Sequence, residues 1–234
     1  MNILCTICAR GGSVGVINKA LKKINGKYLI EITINQALKS KVFDEIVVST
    51  DSKKIQKIAI KKGAKSWFLR EKKLSNSYSS KIFAIRDALL KSEIKFKKKF
   101  DICIDLDITS PLRKIEDIQN ALRLFLRKKR TQNLFSVCEA RRNPYFNMVE
   151  IKDRQISLVK SSYKNNSILR RQSAPKVFDM NASIYIWKRL RLLKSNKLFS
   201  KNTNIYIMPQ SRSIDIDSNF DLNLIKYLFG QRHV

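Results

Sequence analysis

The sequence predicts an α/β fold: a parallel sheet with helices on both faces. Three observations point there. Strand-like runs alternate with helix-like segments from residue 3 to about residue 138, and a βαβα order leads to parallel strands joined by crossover helices. The strand runs are short and mostly apolar, as strands buried on both faces are. At 44% apolar over 234 residues, the chain can build the core of one large domain.

The elements follow in order. Ile3 to Ala9 is a strand ending at Arg10-Gly11-Gly12. Tyr28 to Leu38 has helical spacing, with Leu29, Ile32, Thr33 and Gln36-Ala37 on one face. Glu45 to Ser49 is a buried-strand pattern closed by Thr50-Asp51-Ser52. Lys53 to Lys62 follows as helix, Ser66 to Leu69 as strand, and Ser79 to Lys91 as helix with Ile82, Ile85 and Leu89 aligned. Asp101 to Leu106 is a strand. Ile115, Ile118, Leu122 and Phe125 make a helical stripe, and Asn133 to Cys138 is the next strand. Beyond Arg141 the alternation stops. Residues 141–180 form an excursion inserted within the domain. Ser183 to Trp187 and Asn204 to Met208 return to the sheet, and Asn219 to Phe229 closes the chain as helix. Ligands of such sheets sit beyond the strands' carboxyl ends, which here carry ARGGS, STDS and DLDITSPLR.

Composition excludes several classes. No apolar run reaches the ~20 residues of a membrane span. The N-terminal MNILCTICARGG lacks the basic and apolar regions of a signal peptide. Four scattered cysteines do not make a secreted disulfide framework, so a reducing, cytoplasmic location is expected. Forty-eight Lys+Arg against 19 Asp+Glu give a net charge of +29, which first suggests a polyanion partner. The cations are spread along helix-like faces, however, and no nucleic-acid-binding motif is present. A solvated basic surface is therefore expected, with no specific nucleic acid as partner.

Glycine and proline are scarce. At ordinary usage a chain this long would carry about 16 and about 12; it has 6 and 4. Three of the glycines, Gly11, Gly12 and Gly15, fall within five residues directly after the first strand. Glycine lets backbone N–H groups approach phosphate oxygens and tolerates positive φ, and Arg10 and Lys19 flank the cluster. A phosphate cradle is the expectation and a plain tight turn the alternative. A second constellation is Ser213-Ile214-Asp215-Ile216-Asp217. Residues two apart in extended chain share a side, so the two carboxylates converge in a way that suits Mg²⁺ bridging to substrate phosphates; a helix cap at Asp217-Ser218 is the alternative. Third, Asp105 and Asp107 share a face at a strand end, and Thr109 and Ser110 are placed to cap the next helix. Cys5 and Cys8 lie inside a strand on opposite faces, which suits burial rather than redox or zinc chemistry. His233 is the only histidine, so no histidine-based triad is available.

Together these blocks resemble the acylneuraminate cytidylyltransferase (CMP–sialic acid synthetase) family. ARGGSVGVINKAL (9–21), FDEIVVSTDS (43–52), TSPLRKIEDI (109–118), NPYFNMVEI (143–151), RRQSAP (170–175), NASIYIW (181–187) and YIMPQSRSIDIDS (206–218) follow its pattern in order, and all four prolines lie in these blocks. The resemblance implies a Rossmann-like, mostly parallel α/β nucleotidyltransferase domain spanning 1–234, with 141–180 as a dimerisation and sugar-site excursion. It implies a homodimer that uses CTP, Mg²⁺ and a nonulosonic (sialic-acid-like) sugar to give CMP-sugar and pyrophosphate. By position, Arg10, Gly11, Gly12, Ser13 and Lys19 would hold phosphates. Arg70, Ser79 and Lys81 would lie near the cytidine. Asp215 and Asp217 would hold the metal and, with Arg10 and Lys19, carry catalysis. Asp107, Asn147, Arg171, Asn181 and Tyr185 would line the sugar site.

The chain also departs from the family pattern. Val14, Ala20, Ser77 and Ile17 stand where Lys, Asn, Asp and Pro are usual, and Asp107 replaces the Gln common in sialic acid enzymes. Asp107 with NPYFNM and NASIYIW resembles the branch acting on legionaminic-acid-type sugars. The alternatives are synthesis of CMP-3-deoxy-manno-octulosonate, or a drifted, low-activity member acting as a binding protein, for which Val14 and Ala20 are the motive.

Overall fold

The computed structural model describes residues 1–13, 15–76, 80–160 and 170–231. In chain order these form β1 (Ile3–Cys8), β2 (Lys23–Ile24), β3 (Lys27–Tyr28), α1 (Leu29–Ser40), β4 (Glu45–Ser49), α2 (Lys53–Lys61), α3 (Lys81–Phe96), β5 (Ile102–Leu106), α4 (Ile115–Arg127) and β6 (Asn133–Glu139). Then come β7 (Val149–Lys152), β8 (Gln155–Leu158), β9 (Phe178–Lys188), α5 (Arg189–Lys194), β10 (Thr203–Ile207) and α6 (Asn219–Gln231). Six strands make one sheet in the order β10-β6-β9-β5-β1-β4. β1 is parallel to β4 and β5, and β10 is parallel to β6. β9 alone runs antiparallel, to both β5 and β6. The sheet is thus mostly parallel, as expected.

Alternation along the strands builds two cores. Cys5, Ile7, Val48, Ile104 and Ile186 pack on one face with Ile34 of α1, Ala59 of α2 and Ile118 of α4. Leu4, Val47, Cys103 and Trp187 pack on the other with Ile85 and Leu89 of α3 and Leu192 of α5. Cys5 belongs to the first core, and half-buried Cys8 packs against the second. The CxxC pair is split by the sheet, as its spacing within a strand requires. All four cysteines are free.

Two local expectations are corrected. Ser66 to Leu69 is not a strand: only Lys65 makes an isolated parallel bridge, to Val47. The Gln56 amide of α2 donates to the carbonyls of Ser66 and Phe68 at 3.0 and 3.2 Å, so that backbone is bonded by a side chain instead of a sheet edge. Nor do Thr109 and Ser110 cap a helix. α4 starts at Ile115, and the Asp117 carboxylate accepts the Lys114 N–H at 2.9 Å. Ser110 Oγ donates to Asn181 O at 3.1 Å instead. Between β6 and β9 the chain leaves the sheet, and β7 and β8 pair as a separate antiparallel hairpin.

A third apolar cluster lies beneath the carboxyl ends of β1 and β5. Val16, Ile24, Leu29, Leu112, Ile216, Leu222 and Ile225 pack there, joining the glycine-rich loop to the segment before α6. Beside it Arg113, 2% exposed, donates to Ser183 O at 2.6 Å, Gln36 Oε1 at 2.9 Å and Asp107 O at 3.2 Å. Burial pulls its pKa down to about 10 despite nearby carboxylates. This guanidinium ties α1, β9 and the loop after β5 together. Arg113→Leu leaves several buried acceptors unpaired and is expected to cost about 3 kcal/mol, read as a lowered urea midpoint.

Candidate functional site

The carboxyl ends of β1 and β5 open onto a cavity of about 430 Å³. Its lining includes Cys8, Arg10, Ser13, Gly15, Lys19, Arg70, Asn76, Ser80, Lys81, Asp107, Thr109 and Asp217. Most of the residues singled out in the glycine loop therefore meet Asp217, about 200 residues later, around one space. Ser79, Val14 and Ser77 lie outside the described residues, as does the Arg171 side chain.

Gly11 and Gly15 serve close approach, whereas a Cβ on Gly12 would meet open space. Neither Gly11 nor Gly12 has a positive φ; among the described residues of this loop the left-handed position is Asn18, at φ 54°. The Gly11 N–H donates to Asp51 Oδ1 at 2.7 Å, and a Cβ there would stand 3.2 Å from Ser52 Cβ. The loop after β1 is thus pinned to the loop after β4, and the Gly11 amide is already bonded. A Cβ on Gly15 would come within 2.2 Å of the Asp217 carbonyl oxygen. Any side chain at Gly15 would push the two strands of the site apart.

Among the described residues, four cations line the cavity: Arg10, Lys19, Arg70 and Lys81. Arg10 makes no ion pair among the described residues. Arg70 is 5% exposed; its N–H donates to Thr50 O at 2.7 Å and its Nε to Ser75 Oγ at 3.1 Å. No carboxylate among the described residues pairs with it, so the arrangement suits an anion. Lys19 Nζ donates to Ile216 O and to Asp217 Oδ1, the latter at 3.1 Å.

The aspartate segment is held from several directions. The Ile216 N–H donates to Thr109 O at 3.0 Å, and its side chain is fully buried in the third cluster. Upstream, Arg212 grips the buried Asp117 carboxylate in a two-pronged contact at 2.7 and 2.9 Å. Asn181 Nδ2 donates to Ser213 Oγ at 2.9 Å. Downstream, Ser218 and Asp221 cap α6, so the Asp217 carboxylate is not the cap. Burial, then Asp217 and Asp107, push the Asp215 carboxyl up to about 6.

The residues matched to the sugar site are dispersed. Asp107 lines the cavity and accepts the Lys81 ammonium at 2.6 Å. Tyr185 lies with its ring 4.8 Å from that ammonium. Asn181 is 3% exposed and bonded to Ser136, Ser213 and Met208, so it braces the site from behind. Asn147 is exposed and accepts the Asn143 N–H at 2.7 Å in a turn before β7, and it does not line the cavity. Sequence reasoning missed Cys8, Asn76 and Ser80 as lining residues, and Asp51 as the clamp on Gly11. Only Asp51 carried a signal, as part of the STDS loop at a strand's carboxyl end.

Among the described residues no cluster of three or more His, Cys, Asp or Glu is poised to hold a metal. Two hard carboxylates, one with an upshifted pKa, fit a cation that takes its remaining ligands from substrate phosphates and water. For Asp215 a raised folded pKa means the folded state binds more protons between about pH 4 and about pH 6, so stability falls as pH rises through that window. With no metal added at pH 7.5, Asp215→Asn is therefore expected to stabilise by about 1 kcal/mol after solvent screening, about 2–4 °C in Tm. The gain should vanish near pH 4; calorimetry at the two pH values checks it.

Comparison with known proteins bears on the family and the fold. A family model described as cytidylyltransferase matches residues 4–232. Post-translational flagellin modification protein B of Campylobacter coli is 47% identical over 232 residues, 99% of this chain and 97% of that one. CMP-N,N'-diacetyllegionaminic acid synthase of Campylobacter jejuni is 47% identical over the same shares. A solved CMP:2-keto-3-deoxy-manno-octonic acid synthetase complexed with CTP superposes with a TM-score of 0.73 over 99% of this chain and all of that one, at 18% identity. That is a likeness of fold.

Proposed function

The chain belongs to the cytidylyltransferase family, and on that premise we propose that it activates a nonulosonic acid of the legionaminic type, using CTP to give the CMP-sugar and pyrophosphate. Near-full-length identity of 47% to a CMP-N,N'-diacetyllegionaminic acid synthase supports the sugar class. The observation that carries the chemistry is the meeting of Arg10, Lys19 and Arg70 with Asp217 around one cavity. The anomeric hydroxyl of the sugar attacks the α-phosphorus of CTP. The bond from that phosphorus to the bridging oxygen breaks, pyrophosphate leaves with the electron pair, and the hydroxyl proton is lost. Negative charge grows on the leaving group, and preorganised cations stabilise it where it develops. Arg10 and Arg70 supply guanidinium groups with no carboxylate partner among the described residues, and Lys19 adds an ammonium held in place by the Ile216 carbonyl. Asp215 and Asp217 would hold Mg²⁺, which when bound neutralises phosphate oxygens and polarises the α-phosphorus.

The second copy of a homodimer is the partner this reading assigns to the excursion. Val149, Ile151 and Ile156 of the β7–β8 hairpin are 65%, 76% and 72% exposed, and Met180 and Phe199 line a cleft with Met148, which precedes β7. Patches of this kind on soluble proteins mark association surfaces. Among the described residues no helix is long and apolar enough to cross a membrane, and the free cysteines suit a cytoplasmic location.

Incubation with CTP, Mg²⁺ and a panel of nonulosonic acids should release pyrophosphate, with diacetyllegionaminic acid the best substrate. Asp215→Asn and Asp217→Asn should each remove at least about 99% of that activity with the fold retained. Release only with 3-deoxy-manno-octulosonate would move the assignment to that sugar, and tight CTP binding without turnover would favour a binding protein. Sedimentation equilibrium should give a dimer, and Ile151→Asp with Ile156→Asp a monomer.

A further inference from the structure

Lys81, the first residue of α3, reaches across the cavity floor to the end of β5. Its ammonium lies 2.8 Å from Asp105 Oδ2 and 2.6 Å from Asp107 Oδ2, and 4.8 Å from the centroid of the Tyr185 ring on β9. Asp105 is fully buried and also accepts Thr6 Oγ1 at 2.7 Å. Asp107 Oδ1 accepts the Thr109 N–H at 3.1 Å. One ammonium is thus shared by two carboxylates, and the group carries a net negative charge. It is a poor neighbour for a triphosphate, unlike Arg10 and Arg70.

We propose that Lys81 is a positioning residue for the sugar: it fixes the Asp107 carboxylate at the cavity wall, where that carboxylate accepts hydrogen bonds from hydroxyl or acylamino N–H groups and repels the sugar's own carboxylate. This rests on the reading of the enzyme as a nonulosonic acid cytidylyltransferase. A carboxylate only accepts, whereas an amide in its place would both donate and accept, so an aspartate here narrows which face of the sugar can lie against it. Burial alone would favour a neutral Lys81, but the two carboxylates outweigh it and hold the amine charged. The same ammonium outweighs burial at Asp107 and keeps it ionised.

The test is the double variant Lys81→Met/Asp105→Asn, which removes the strut without changing net charge. CTP affinity is measured by calorimetry without sugar, and KM and kcat with the sugar that the wild type turns over best. The expected result is a CTP Kd within about twofold of wild type, with the sugar KM raised about tenfold or more and kcat changed less. Asp107→Asn should show the same split, and combining it with the double variant should add little, as for residues acting through one another. Should the double variant not fold, Lys81→Gln, whose shorter neutral amide cannot hold both carboxylates as the ammonium does, is measured for the same split. A CTP Kd weakened about tenfold with the sugar KM unmoved would assign Lys81 to the nucleotide and overturn the proposal, as would no change in either constant. If the wild type releases no pyrophosphate with any nonulosonic acid, the functional reading fails and the proposal falls with it. Turnover by the wild type with an unaffected variant sinks the proposal alone.

Discussion

Ile216 is the residue on which the site depends. It stands between Asp215 and Asp217, its side chain sealed in an apolar cluster with Val16 and Leu112 and its N–H bonded to the Thr109 carbonyl. Burying an isoleucine contributes on the order of 2–3 kcal/mol, and here it also fixes the register of an extended segment. Because alternate residues of such a segment face opposite ways, a buried Ile216 turns both neighbouring carboxylates away from the core. Val16 does the same for the other half of the site: it anchors the glycine-rich loop in the same cluster, one residue from the glycine that lies against the Asp217 carbonyl. Hydrophobic burial thereby places charged groups from the two ends of the chain against each other.

Around that pin the cleft is divided electrostatically. Arg10 and Arg70 have no carboxylate partners among the described residues, while Lys19 bridges to Asp217 and Lys81 is shared by Asp105 and Asp107. The cations with unmet charge favour an anion; the neutralised ones hold backbone or carboxylates in position. Among the described residues, only these few basic side chains line the cavity. Arg113 is buried inside the fold, and many of the other basic residues lie on exposed positions.

Local pattern made most of the fold legible. Short, mostly apolar runs marked the strands and 3.6-residue periodicity the helices, since both are properties of a few neighbouring residues. Ser66 to Leu69 was misassigned because its composition suits a strand, while its partner is the Gln56 side chain rather than another strand. Thr109 and Ser110 were misassigned as caps because a capping residue type says nothing of where the hydroxyl is pulled; Ser110 is drawn to Asn181, 71 residues away.

By itself the sequence determined the α/β class, the concentration of glycine after the first strand, the paired aspartates before the last helix, and the ordered blocks that tie the chain to its family. These are properties of neighbours along the chain, where spacing and residue type suffice. Only the tertiary structure decided that β9 runs antiparallel, that Gly11 spends its amide on Asp51, that Asn181 braces the site from behind, and that Lys81 stands between two carboxylates. Each of those depends on which distant group satisfies a buried donor or charge, and a buried polar group takes whatever partner the fold brings to it.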